Sequence, residues 1–348
     1  MLKKVLLPSL VLLLMSILLI GCGSEPTNET QNETPNEETP QNSGNEQAQE
    51  DVSTDDYPNE PLNIIIPFSP GVAGDTFVRT FARAAESYLG QNIVPINRDG
   101  GSGMIGVVEA LNADPDGYTI VYQSSTLPYK LAAGEAPFET SDLVAISTIN
   151  ADYQVLAVRD DSPFETFEDF KKYAEENPGK LNISGSGSKG TNHVLYMKMV
   201  EGAGIEANYV TYAGGSQSLT AVLGGEVDAL VGSSSVVNQY VDTGEVRILA
   251  VTGNERAENR PDIPTFKELG VTNIEDEFIW RGFFGHKDIP QERLEKLNEI
   301  IGQAIQDPIW LEYMEAQNQM NFYKDATEAT DFFNNFTEDA KVIFENLE

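Results

Sequence analysis

The chain holds a single cysteine, Cys22, in 348 residues, which excludes an intramolecular disulfide and any cysteine-built metal site. Histidine is nearly as scarce. His193 and His286 stand too far apart for a sequence-local zinc motif, so packing or orienting roles are expected of both. No serine has glycine two positions before and two positions after it, so the nucleophile elbow of serine hydrolases is missing. The Gly-Lys-Ser/Thr order of a phosphate loop is missing too; in Ser188-Lys189-Gly190 the lysine precedes the glycine. Positive charge is in deficit, with 22 Lys and Arg against 55 Asp and Glu and a net charge of −33. That balance argues against nucleic acid and against broad contact with anionic lipid headgroups. The expectation is a protein that is not an enzyme, with no catalytic residue, no metal and no cofactor.

What is present begins with an address. Residues 1–21 place two lysines before a long apolar run that ends in Leu19-Ile20-Gly21-Cys22. This resembles the bacterial lipoprotein signal, which implies a diacylglyceryl group on Cys22 and membrane attachment through that lipid only. Residues 22–60 are rich in Glu, Asn, Gln, Thr and Pro and contain no lysine or arginine, so they read as a disordered acidic linker. The rest is long for one core and comfortable for two lobes.

Two loops carry the functional signal: Pro67–Asp75 (PFSPGVAGD) and Ser184–Thr191 (SGSGSKGT). Each joins an apolar run to a helix-like run. Glycine lets the backbone approach a ligand, and the free N–H groups and positive dipole end of a helix start make an anion site. Two such cradles, more than a hundred residues apart, suggest two lobes gripping one anion. Because the global charge repels an anion, local backbone dipoles have to supply the attraction.

The periodicity predicts strands at 62–67, 93–96 and 118–122 alternating with helices from Asp75 to 89 and over 103–112. It restarts with a strand at 154–158, a helix opened by the Thr166/Asp169 capping box, and a strand at 180–183. Helices over 191–201, 216–223 and 235–242 then alternate with strands over 208–212, 227–231 and 247–251. Alternation of this kind signals parallel βαβ units in an α/β fold. Helices after 290 have nothing of their own to cover and are expected to return to the first lobe. The implied division is 61–152 with 253–348 as lobe I and 153–252 as lobe II, joined by two crossing segments that act as a hinge.

Motifs across 57–340 resemble one known family. They are Tyr57-Pro58, the first cradle, Asn97-Arg98 with Gly100-Gly101-Ser102-Gly103, Pro115-Asp116-Gly117-Tyr118-Thr119 and Asn177-Pro178-Gly179-Lys180-Leu181. The second cradle with His193, Tyr212-Ala213-Gly214-Gly215, Leu223–Asp228, Leu249–Thr252, Arg260–Thr265 and Trp280-Arg281-Gly282 complete the series. In this order and spacing the chain resembles the extracytoplasmic solute-binding proteins of tripartite tricarboxylate transporters, the TctC or Bug proteins. The resemblance implies a periplasmic-binding-protein-like, type II Venus flytrap fold, a small carboxylate between the lobes, and delivery to the membrane subunits of the transporter. A lipid-anchored, extracytoplasmic monomer is the expectation. A ligand-sensing partner of a membrane kinase would look the same in sequence, and an exported α/β hydrolase would share the alternation while needing a nucleophile and base.

Carried over by position, the resemblance implies contacts from Phe68, Ser69, Gly71, Val72, Ala73, Gly74 and Asp75, and from Ser124, Ser125 and Thr126. From the second lobe it implies Ser186, Gly187, Ser188, Lys189, Gly190 and Thr191, with Tyr212, Gly214, Gly215, Gly232, Ser233 and Ser234 closing the cleft. Asp75 reads as a helix cap, and Lys189 as a cation for the carboxylate. The hydroxyls after Gly232, where an amino-acid receptor would place an acidic partner for an ammonium, favour a di- or tricarboxylate without an amine.

Overall fold

The computed structural model describes residues 56–345. The signal segment, Cys22 and the linker up to residue 55 lie outside the described residues. The described residues begin inside the stretch assigned above to the linker. Tyr57 is buried, donates its hydroxyl to the Gly117 carbonyl at 2.8 Å, and packs 4.9 Å from the Tyr118 ring under the Arg293 guanidinium.

The first lobe is a six-stranded sheet. It contains β1 (Leu62–Ile66), β2 (Ile93–Asn97), β3 (Thr119–Ser124), β4 (Leu143–Asp152), β10 (Ile279–His286) and β11 (Met320–Lys324), in the order β11-β4-β10-β3-β1-β2. Alternate residues of its strands face different cores. Ile64, Ile66, Ile120 and Tyr122 join α1 (Ala73–Leu89), α8 (Gln291–Ala304) and α9 (Pro308–Gln317) on one side. Ile65 and Val121 meet α2 (Met104–Leu111), α3 (Thr126–Ala132) and α10 (Ala326–Glu345) on the other. Burial on both faces is why these strands read as unbroken apolar runs. α1 presents Phe77, Val78, Phe81 and Ala85 to the core and stops at Gly90, whose left-handed φ of 72° lets its N–H close on Glu86.

The second lobe is a five-stranded sheet of β5 (Gln154–Arg159), β6 (Asn182–Ser186), β7 (Asn208–Tyr212), β8 (Ala229–Ser233) and β9 (Val246–Val251), in the order β7-β6-β8-β5-β9. α4 (Phe167–Glu176) and α5 (Thr191–Ala203) cover one face, and α6 (Gly215–Leu223) and α7 (Ser234–Asp242) the other. The Thr166/Asp169 capping box forms as the sequence implies, with N–H bonds of 3.2 and 3.0 Å.

Neither sheet is purely parallel. β1, β2 and β3 pair parallel, as do β6, β7 and β8, but β10 runs antiparallel between β3 and β4, and β5 antiparallel between β8 and β9. Both odd strands are the first to follow a crossing between lobes, so the chain enters each sheet from the shared hinge edge. The return crossing falls later than residue 253. Phe266 bonds back to Val251 at 2.9 Å, and Phe266, Val271 and Ile274 lie in the second-lobe core, so the chain leaves that lobe only at about Glu275–Phe278. A loop without periodicity hid three large apolar anchors.

The two crossings are bonded together. Thr252 N–H donates to the Gln154 carbonyl at 2.9 Å, Gln154 N–H donates to Thr252 Oγ1 at 3.0 Å, and the Gln154 side chain donates to the Glu277 carbonyl at 2.7 Å. Between them Asp152, fully buried at the end of β4, faces the buried guanidinium of Arg281 on β10 at 3.5 Å. The architecture is two α/β lobes joined by two crossings.

Candidate functional site

In each lobe the parallel strands end at one edge, and helices start there: α1, α2 and α3 in the first lobe, α5, α6 and α7 in the second. Ligands of open α/β sheets bind outside these carboxyl ends. The two edges face each other across a cleft. Thr191 Oγ1, at the first turn of α5, lies 3.0 Å from Ser125 Oγ and 3.2 Å from Thr126 Oγ1 at the start of α3. The residues proposed from the sequence as contacts sit at these edges: Ser124, Ser186, Tyr212, Gly232 and Ser233 in the last residues of strands, the others in the loops and first helical turns that follow.

The helix starts at the cleft have a common property. None of α1, α2, α3, α5, α6 and α7 has a side-chain N-cap bond; of the helices that start elsewhere, α4 and α9 are capped by Thr166 and Asp307, and α8 follows Pro290 without a side-chain cap. An uncapped first turn leaves N–H groups and the positive dipole end for an outside acceptor. At Gly71, Gly187 and Gly214 the space where a Cβ would stand is open.

Asp75 does not cap α1. The helix opens at Ala73 with Val72 at the cap position, and Asp75 sits in the first turn, accepting from Gly71 N–H, Arg79 Nε and Asn97 Nδ2, each at 2.9 Å. Burial works to raise its pKa, but the Arg79, Gly71 and Asn97 bonds outweigh it and hold the carboxyl below its usual range. Asp75 therefore fixes the first cradle. Gly74 is required for packing there, since a Cβ would lie 2.8 Å from Tyr122 Cε1.

The second cradle is held from within and from across the cleft. Asn192 Oδ1 accepts from Ser186 N–H and Oγ, while its Nδ2 donates to Gln154 Oε1 at the hinge, at 2.9 Å. Lys189 adopts a left-handed φ of 52°, a conformation that costs a non-glycine residue about 1 kcal/mol, and its N–H donates to His193 Nδ1 at 3.0 Å. Its ammonium, half-exposed, lies 3.7 Å from Glu135 of the first lobe. Lys130, also of the first lobe and buried, donates to Glu135 at 2.6 Å and to the Ser188 carbonyl at 2.7 Å. Lys130 and Glu135 thus form a clasp between lobes that sequence reading missed, because its members lie more than fifty residues from the loop they hold.

The hydroxyls of Ser233 and Ser234 are not free for a ligand. Together with Ser235 they donate to the Asp152 carboxylate, Ser234 and Ser235 at 2.5 Å. Trp280 is core, and Arg281 serves the hinge.

His193 stacks on Tyr209 at 4.4 Å and accepts the Lys189 N–H, a role that needs the neutral ring. Burial, then the charges of Lys130 and Lys189, hold its pKa below the ordinary value. A depressed histidine pKa stabilises the fold fully above the unfolded value of about 6.5 and loses that contribution as pH falls below it. Thermal melts at pH 7.5 and 5.5 are expected to show a larger acid-induced loss for the wild type than for His193→Gln; equal losses would contradict the assignment.

Among the described residues no cluster of three or more His, Cys, Asp or Glu could hold a metal ion, and no helix is long and apolar enough to cross a membrane. Uncapped helix starts facing each other across a cleft between two lobes are the geometry of a solute-binding protein. Residues 77–348 match the tripartite tricarboxylate transporter family receptor, TctC, and the chain belongs to that family. Its members are receptors outside the cytoplasm, not enzymes. It is 29% identical over 275 residues to the protein BugT of Bordetella pertussis, covering 76% of this chain and 82% of the relative. A TctC solute-binding protein from Polaromonas has the same fold, with a TM-score of 0.69 and 26% identity over 83% of this chain and 99% of that one. The adipate-bound Rpa4515 of R. palustris superposes with a TM-score of 0.74 at 22% identity, over 84% and 97%.

Proposed function

We propose that this chain is the lipid-anchored substrate receptor of a tripartite tricarboxylate transporter, capturing an amine-free di- or tricarboxylate, citrate-like or a C4 to C6 diacid, and handing it to the membrane permease. Cys22 is the proposed lipid site. Backbone N–H groups of Val72 to Gly74, Gly190 to Asn192 and Gly214 to Gly215 grip the carboxylates, with Phe68, Ser69, Ser124 to Thr126 and Tyr212 shaping the cleft. The adipate bound by a protein of the same fold is in keeping with this chemistry.

One observation carries the reading: the cleft offers uncapped helix starts, while its acidic side chains are already spoken for. Asp75 is bonded to Arg79, Glu135 to Lys130, and Asp152 to the serines and Arg281. A ligand ammonium would find no free carboxylate among these and would face the positive ends of helix dipoles. Calorimetry over a panel of acids is the test. Citrate or one of the diacids is expected to bind, and glutamate and aspartate are not; tight glutamate or aspartate binding with the diacids and citrate silent would overturn the assignment.

A further inference from the structure

We propose that Gln123 and the N-terminus of α2 form a further ligand subsite in the first lobe, one that takes the second carboxylate of a bound dicarboxylate. The inference rests on the receptor reading and extends it to a loop that the two cradles leave unused. β2 ends at the same edge as β1 and β3, and the chain then makes the turn Gly100-Gly101-Ser102-Gly103, with φ values of 125°, 56°, 54° and 95°. Ser69 donates to Asp99 at 2.5 Å, and Asn97 to the Phe68 carbonyl at 3.0 Å, so this turn is tied to the first cradle. From it α2 opens with Gly103 at the cap position and no side-chain cap.

The second, independent observation is Gln123, the penultimate residue of β3. Its side chain is 1% exposed, and its Nε2 is buried with no hydrogen-bond partner. A Cβ added to Gly103 would stand 3.5 Å from that nitrogen, 3.5 Å from Pro67 Cβ and 3.7 Å from Phe68 Cζ, so the amide points at the α2 cap. A buried, unpaired amide is costly, and native proteins keep few of them. Amide N–H and helix N-terminus both ask for an acceptor, and an anionic oxygen answers both; an ammonium is repelled by both. The half-buried Phe68 ring lines the same space, and the proposal requires a ligand to pass it.

The test uses the full chain in detergent, with succinate, glutarate, adipate and citrate as probes and butyrate and hexanoate as one-carboxylate controls. Gln123→Met keeps the unbranched shape and removes the donor. It is expected to lose about tenfold in affinity for the diacid that the wild type binds, with no loss for the monoacid of matching length. Its unliganded melting temperature is expected to equal or exceed the wild type's, because the unpaired amide is gone; Gln123→Leu repeats the comparison should the Met variant misfold. Unchanged diacid affinity, or equal losses for diacid and monoacid, would overturn the subsite while leaving the receptor reading intact. A wild type that binds none of the panel would remove the receptor reading and the subsite with it.

Discussion

Replacing Asp152 by alanine is expected to cost about 3–5 kcal/mol of folding stability, the largest effect of any single change outside the apolar cores. Asp152 ends β4 at the point where the chain first leaves the first lobe, and it is fully buried. Its carboxylate is the common acceptor for Ser233, Ser234 and Ser235 of the second lobe and the counter-charge for Arg281, which lies just past the return crossing. Removing it strands a buried guanidinium and three hydroxyls at once. Asp152→Asn keeps acceptor capacity and loses the charge, so its cost should fall between the wild type and the alanine variant. Chemical denaturation of the three proteins measures this; an alanine variant within 1 kcal/mol of the wild type, the scale of a surface ion pair, would show that the hinge does not depend on the carboxylate.

Gly282→Ala is the second large effect, and it acts through shape alone. Gly282 lies on β10 between β3 and β4, and an added Cβ would stand 2.2 Å from the Ser147 carbonyl oxygen and 2.9 Å from Thr148 Cα. Both are backbone atoms of a central strand, which cannot swing aside as a side-chain tip can. Overpacking of this kind costs about 3 kcal/mol, equivalent to a drop in melting temperature on the order of 10 °C. Gly214→Ala provides the control, because its Cβ would meet nothing within 4 Å. Equal melting temperatures for the two variants would contradict the packing described for β4 and β10.

How much of this was legible in the sequence depended on whether the cause was local. The Thr166/Asp169 box, the stop at Gly90 and the two glycine-rich strand-to-helix loops each depend on residues within a few positions of one another, and each appears as a structural feature where the sequence implied. β4 was not legible. Its ten residues, LVAISTINAD, mix apolar side chains with Ser147, Thr148, Asn150 and Asp152, all buried. Their partners lie more than eighty residues away: Ser147 and Thr148 donate to the carbonyls of Lys324 and Phe322 on β11, Asn150 Nδ2 donates to Gln319, and Asp152 accepts from the serines of the second lobe. The antiparallel placement of β5 and β10 was hidden for a related reason, since it follows from where the chain crosses between lobes and leaves no local trace. At the candidate site, sequence reading misjudged the hydroxyls of Ser233 and Ser234, because their acceptor, Asp152, belongs to the other lobe. Gln123 left one usable signal: it is a large polar residue directly after the run Ile120-Val121-Tyr122, inside a fully buried part of the strand.

The central claim is that two lobes close on a carboxylate, and small-angle scattering tests it most directly. With the tightest-binding acid of the panel at a hundredfold excess over its Kd, the bound state gains about 2.7 kcal/mol over the unliganded one, enough to populate the closed form almost completely. The scattering curve is then expected to match the arrangement in which Thr191 touches Ser125 and Thr126, with a radius of gyration smaller than that of the unliganded protein. An unchanged or larger radius on saturation with a carboxylate that calorimetry shows to be bound would contradict the account.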